Sequence, residues 1–184
     1  MLLPMARSPR DFSAGTFHVT AHAVWGNTLF RDTVDYLLMS TELARTIARS
    51  RWRCLAFCFL GTHYHVLSEV EDNALPTGMQ RLNNAYARNF NRRYGLRGHV
   101  FAERYHATRI ETEEHLLTAF RYVVRNPVEA NLCAMPADWG WSSYAGTIGL
   151  AEPFGLVDAS PVLACFGRPE ASAVQRLRAF VEAP

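Results

Sequence analysis

Apolar and polar residues alternate along residues 15–25 (GTFHVTAHAVW), and the stretch is rich in β-formers, which predicts a first strand. The period then changes. Residues 32–49 read as an amphipathic helix, with Asp32 as its cap and Val34, Leu37, Leu38, Leu43 and Ile47 on its apolar side. Residues 52–60 and 63–70 read as two strands joined by a tight turn at Gly61-Thr62. A second helix is predicted over 75–94, a fourth strand over 100–110, and a third helix over 112 to about 131, opened by Thr112-x-x-His115. The order β-α-β-β-α-β-α is that of an α+β, ferredoxin-like split β-α-β sheet, four-stranded and antiparallel, with helices on one side. Beyond Tyr144 the chain turns to Gly, Pro and Ala. It divides into a domain over 1–146 and a C-terminal tail over 147–184 with short helices, the last over about 171–183.

Chemistry enters at two places in this pattern. His63 and His65 flank Tyr64, and successive side chains of a strand alternate faces, so the two imidazoles project from one face about 7 Å apart. There they can share one metal ion, while Tyr64 turns into the body of the domain. In the third helix, Leu116, Leu117, Phe120, Val123, Val124 and Pro127 fall within one broad stripe at 100° per residue. Tyr122 falls roughly opposite that stripe, displayed for a purpose other than burial, and Asn126 follows one turn later. Two imidazoles, a tyrosine and an amide oxygen are the parts for metal-assisted attack by a phenolate on phosphorus. A free phenol has a pKa near ~10, so the ion or a neighbour must help ionise or orient it.

Composition narrows the class. At 184 residues, 49% hydrophobic and 20% charged, the chain has room for one domain and a tail. No window reaches ~18 uninterrupted apolar residues, which argues against a membrane span. The opening MLLPMARSPR carries its basic residues after its apolar start, the reverse of a secretory signal. Cys54, Cys58, Cys133 and Cys165 form no CxxC pair, and a reduced, cytoplasmic setting fits them. The net charge of +2 hides a gradient, because residues 81–125 hold nine arginines against four acids. Arg81, Arg88 and Arg92 repeat at helical spacing with Arg93 and Arg97 close by, a phosphate-binding ridge. Arg104, Arg109, Arg121 and Arg125 flank the expected site and complete the basic set. Tyr86, Phe90 and Tyr94 at i, i+4 and i+8 read as core packing, as do Trp139, Trp141 and Tyr144 at the end of the domain.

Five ordered segments carry a resemblance: FHVTAHAVWGN, FCFLGTHYHVLSEV, LNNAYARNFNRRYGLRGHVFAERYHA, LLTAFRYVVRNPVEANL and DWGWSSY. Over about residues 17–144 the chain resembles the single-tyrosine HUH transposases of the insertion-sequence superfamily, more specifically the branch associated with repetitive extragenic palindromes. The resemblance makes 1–146 a catalytic domain of a bacterial cytoplasmic protein. It implies that His63 and His65 are the metal-binding pair, that Tyr122 is the nucleophile, and that Asn126 supplies a third, oxygen ligand. It further implies a divalent ion, Mg²⁺ or Mn²⁺, a single-stranded hairpin DNA substrate and a 5′-phosphotyrosine intermediate. Where the family commonly reads Met-Pro-Asn before the pair, this chain has Leu60-Gly61-Thr62, and Tyr64 stands in place of the usual bulky hydrophobic residue. Relatives differ in whether the tyrosine helix serves its own subunit, so monomer and homodimer both stay open.

Two other readings compete. One is a DNA-binding protein that keeps the fold and has lost catalysis. The other is a metal-free RNA phosphoesterase built on His18-Val-Thr20 and His106-Ala-Thr108, which leaves the His63/His65 pair without a role. In the transposase reading His18, His22, His99, His106 and His115 are structural, with His115 on the face of Tyr122. Asn126, just before Pro127, can alternatively cap a further helical turn. The acidic segment after Tyr144 is expected to fold over the basic face and damp activity.

Overall fold

The computed structural model describes residues 12–151 and 155–183; the MLLPMARSPR stretch lies outside them. Its elements are β1 (Gly15–His22), α1 (Thr33–Ser50), β2 (Arg53–Leu60), β3 (His63–Val70), α2 (Ala74–Tyr94), β4 (His106–Ile110) and α3 (Glu113–Glu129), followed by the short α4 (Tyr144–Thr147) and α5 (Ser160–Ala164) and by α6 (Glu170–Glu182). The strands form one four-stranded sheet in the order β2-β3-β1-β4, every neighbouring pair antiparallel. That is the ferredoxin-like order expected from the pattern. No helix among the described residues is long and apolar enough to cross a membrane.

The helices do not all lie on one side. Phe17, Val19 and Ala21 of β1 share a core with Tyr64 and Val66 of β3, Met39 and Leu43 of α1, and Met79, Leu82, Tyr86 and Phe90 of α2. The alternate residues of β2 and β3, among them Cys58, Leu60 and Leu67, form a second core with Phe120, Val123 and Val124 of α3. Because successive strand residues face opposite ways, α3 covers the face that α1 and α2 leave bare. The physical reason is that β2 is apolar on both faces and adds to the Leu67 side of β3, so each face needs cover.

α1 corrects the expected apolar side. Val34 and Leu37 are exposed, and the buried face holds Asp35, Met39, Glu42, Leu43 and Thr46. Burial of Asp35 is made tolerable by two partners from α2 and one from the turn before α1: Arg93 lies 2.5 Å away, the Tyr94 hydroxyl donates at 2.8 Å, and the Arg31 backbone N–H donates at 2.9 Å. Arg93 also pairs with Asp32, whose carboxylate caps the helix by accepting from the Val34 and Asp35 N–H groups. Gly78 lets α2 approach closely, because the Trp52 indole occupies the space a Cβ would need. Tyr86 and Phe90 are core residues, as the spacing suggested.

β4 is shorter than expected. Residues 100–105 cross the end of β1 instead of pairing along it, through Val24 N–H to Val100 O, Ala102 N–H to His22 O and a single bridge between Ala23 and Phe101. The Phe101 ring turns inward against Tyr64 and Tyr86, which bends the chain before β4 begins.

The segment after Tyr144 is part of the second core rather than a free tail. Val162, Leu177 and Val181 are fully buried with Phe120, Val123 and Val124. The same stretch of chain covers the open edge of β2: Cys54 bridges Val157, Asp158 N–H donates to Cys54 O, and Arg53 pairs with Asp158 at 2.8 Å. Just before it, Ser143 N–H bonds Phe57 O, Trp139 Nε1 donates to Phe59 O, and Trp141 stacks on Tyr36. The two tryptophans and Tyr144 therefore serve packing, as the sequence suggested.

Candidate active site

The site forms where the polar half of β1 meets the polar end of β3 under α3. Register decides its membership. Thr20 lies opposite His65 and His22 opposite His63, while β4 places His106 opposite Thr20 and Thr108 opposite His18. Alternation then puts His18, Thr20, His22, His63 and His65 on one face. α3 starts under its expected cap, with Thr112 Oγ1 accepting from His115 N–H at 3.1 Å, and lays Tyr122 and Asn126 over that face.

The rings are in contact. The His63 and His65 centroids are 5.0 Å apart with planes at 85°, and His22 stacks on His63 at 4.8 Å. Tyr122 packs edge-on against His65 at 5.4 Å and His18 at 5.7 Å, yet stays 52% exposed. The tyrosine and the histidine pair thus come together within one chain. Asn126 is buried at the start of the last turn of α3, its Nδ2 donating to Tyr122 O at 3.3 Å and its own carbonyl accepting from Ala130 N–H. It is not a cap. α3 runs on through Pro127, whose missing N–H falls in the last turn.

Burial sets the charge state. It pulls His65 down to about 2, helped by the neighbouring His18, His63 and His22 rings and opposed by a polar contact with the Asn126 side chain. Burial also lowers His63, with His22 adding to it and Asn126 again opposing. His18 is pulled to about 4 by burial and then by His106 and His115. Neutral imidazoles are what a metal site needs, since binding then displaces no proton. His65 Nε2 is buried and has no hydrogen-bond partner, and Thr62 Oγ1 lies 3.1 Å from His63 Nδ1, which leaves the other ring nitrogen of His63 available. Asn126, with its amide nitrogen spent on a backbone carbonyl, can offer oxygen. No three His, Cys, Asp or Glu side chains converge as a cage among the described residues. Two imidazoles with an amide oxygen nevertheless fit a divalent ion that keeps positions open for phosphate oxygens.

The neutral rings carry a pH dependence. An unfolded histidine binds its proton near 6.5 and folded His18 only near 4, so the unfolded state holds more protons between these values. His18's contribution is therefore complete above pH 6.5 and lost as pH falls toward 4. Metal-free protein should lose on the order of 3 kcal/mol across that window from His18 alone. Thermal unfolding in EDTA against pH measures it; a flat midpoint would mean that the ring is not desolvated.

The expected arginines separate into groups. Arg88, Arg92, Arg97 and Arg104 are exposed. Arg81 donates to Ser50 Oγ, and Arg93 is taken up by Asp32 and Asp35. α2 lies on the Tyr64 side of the sheet, where Tyr64 donates to Asn83, so its ridge is separated from Tyr122 by the sheet. Arg109 does not flank the site: it pairs across from Phe17 on the far face and donates to Ser13 and Ala14 carbonyls. Arg121 and Arg125 donate to Ala183 O, and Arg125 also to Val181 O, closing the C-terminus of α6. Their partners come from the distant segment that covers α3. Conversely, His18 and His22, structural in the transposase reading, and Thr20, given a role only in the phosphoesterase reading, line the site. The legible signal was their i, i+2, i+4 spacing on the polar face of a strand that had to pair beside His63-x-His65.

No family model and no curated protein matches the chain. Among solved structures it is similar to a REP-associated tyrosine transposase bound to a REP hairpin, at a TM-score of 0.65 and 16% identity, over 84% of this chain and 93% of that one. At that identity the likeness is one of fold.

Proposed function

We propose that the chain is a metal-dependent, single-strand-specific DNA endonuclease and strand transferase, a tyrosine transposase acting on hairpin-forming palindromic DNA. The carrying observation is Tyr122, exposed over His65 while His65 Nε2 stays buried without a partner. The likeness in fold to a REP-associated tyrosine transposase bound to a REP hairpin supports the same reading. His63, His65 and Asn126 would hold Mg²⁺ or Mn²⁺, which would supply Lewis-acid polarisation of the scissile phosphodiester. Tyr122 Oη attacks phosphorus in line. Its O–P bond forms as the bond to the 3′ oxygen breaks, the phenol proton leaves to solvent, and the released 3′ oxygen takes up a proton. The product is a 5′-phosphotyrosine, and attack on it by another 3′-hydroxyl rejoins strands without a nucleotide cofactor. The exposed Arg88, Arg92, Arg97 and Arg104 supply phosphate contacts for the folded part of the substrate.

The test is incubation of an end-labelled single-stranded DNA hairpin carrying a short unpaired flank, with Mn²⁺ and with EDTA. A covalent protein–DNA adduct in Mn²⁺, absent in EDTA, is expected. Hairpin binding without adduct under any metal supports the silent DNA-binding protein instead. One observation favours the phosphoesterase reading: His18-x-Thr20 and His106-x-Thr108 lie side by side on adjacent strands. That reading requires EDTA-resistant hydrolysis of an RNA phosphodiester and no covalent adduct.

A further inference from the structure

His65 has two ring nitrogens in very different surroundings. Nε2 is buried with no partner among the described residues, while Nδ1 lies 2.9 Å from His18 Nε2 and 3.1 Å from Thr20 Oγ1. A neutral imidazole carries one N–H, and its placement is set by what the other nitrogen can reach. With the proton on Nε2, the buried N–H would have only the looser polar contact with the Asn126 side chain, and no lone pair would be left there for an ion. With the proton on Nδ1, it is donated to His18 Nε2 and the Nε2 lone pair is free. The planes of the two rings are 26° apart and their centroids 5.1 Å apart, so the rings meet edge to edge in nearly one plane, as an N–H···N bond requires. The closer partners at Nδ1 therefore favour the tautomer of His65 that can ligate an ion through Nε2.

We propose that His18 is a positioning residue of the metal site: it accepts the Nδ1–H of His65, fixes that tautomer and ring orientation, and so presents Nε2 to a divalent ion. This rests on the reading of His65 as a ligand. Metal-bound histidines commonly donate their second N–H to a carboxylate or carbonyl; here an imidazole on the neighbouring strand fills that place. His18 in turn must carry its own proton on Nδ1, leaving Nε2 as acceptor. The same ring packs against Tyr122, so ligand and nucleophile share one support.

Mn²⁺ binding to the full chain without DNA, followed by electron paramagnetic resonance of the free ion, tests the proposal. His18→Ala should weaken Mn²⁺ binding about 10- to 100-fold. His18→Gln, whose Oε1 can accept from His65 Nδ1, should restore it to within a few-fold. Wild-type affinity in His18→Ala, or a Gln variant as weak as the Ala variant, overturns the inference while leaving the metal reading intact. A wild-type chain that binds no Mn²⁺ overturns both. Should His18→Ala fail to fold, long-range proton–nitrogen spectra of the metal-free wild type still decide the matter. A His65 proton on Nδ1 is expected, and one on Nε2 refutes the assignment.

Discussion

Tyr122→Phe should abolish the covalent DNA adduct and lower strand cleavage by at least ~10³-fold while hairpin binding stays within a few-fold of wild type. The separation between the two effects is structural. The Tyr122 ring is 52% exposed, and its contacts with His18 and His65 are made by ring edges and faces that phenylalanine keeps. Asn126 holds the backbone carbonyl of residue 122, not its hydroxyl, so the third candidate ligand is not disturbed. What disappears is one oxygen, and with it the only atom that can form the phosphotyrosine bond in the proposed reaction. Gel analysis of end-labelled hairpin DNA in Mn²⁺ reads adduct and cleavage together. Cleavage at wild-type rate in the Phe variant would remove Tyr122 from the chemistry and turn attention to the adjacent His-x-Thr pairs of β1 and β4.

The parts of this molecule that sequence makes legible are those governed by local periodicity. The alternation in β1, the Asp32 and Thr112 caps and the displacement of Tyr122 from the α3 stripe all recur in the structure. Several misreadings share one cause: a charged side chain whose partner lies far along the chain. α1 buries Asp35 and Glu42 because Arg93, Tyr94 and Asn89 come from α2. Arg121 and Arg125 look like phosphate ligands on α3, yet their acceptors are carbonyls at the end of α6. Arg109 looks adjacent to the site in sequence, and strand parity sends it to the other face. His18 shows the converse. Its role depends on strand pairing, because only the antiparallel register of β1 with β3 brings its Nε2 to the Nδ1 of His65.

Removing residues 147–184 should cost the fold itself and so leave an inactive chain, not a more active one. Val162, Leu177 and Val181 are each fully buried against α3 and its neighbours. At about 1.5–3 kcal/mol per buried aliphatic side chain, these three alone are worth roughly 5–9 kcal/mol, which is comparable to the ~5–15 kcal/mol that holds a typical domain together. The deletion also strips the carbonyl acceptors from Arg121 and Arg125 and uncovers the β2 edge at Cys54. α3 would then keep its inner packing on β2 and lose its outer cover, and α3 is the element that carries Tyr122 and Asn126. Far-UV circular dichroism should show the cooperative thermal transition lost or broadened, and hairpin cleavage should fall with it. The milder Leu177→Ala should destabilise by about 2–5 kcal/mol with the active-site residues unchanged. A truncated chain that melts cooperatively and cleaves hairpin DNA faster than the full chain would instead make the segment a damper, as its acidic composition first suggested. The buried side chains argue against that outcome, because a regulatory flap must be able to leave and this segment shares its core with the helix that carries Tyr122.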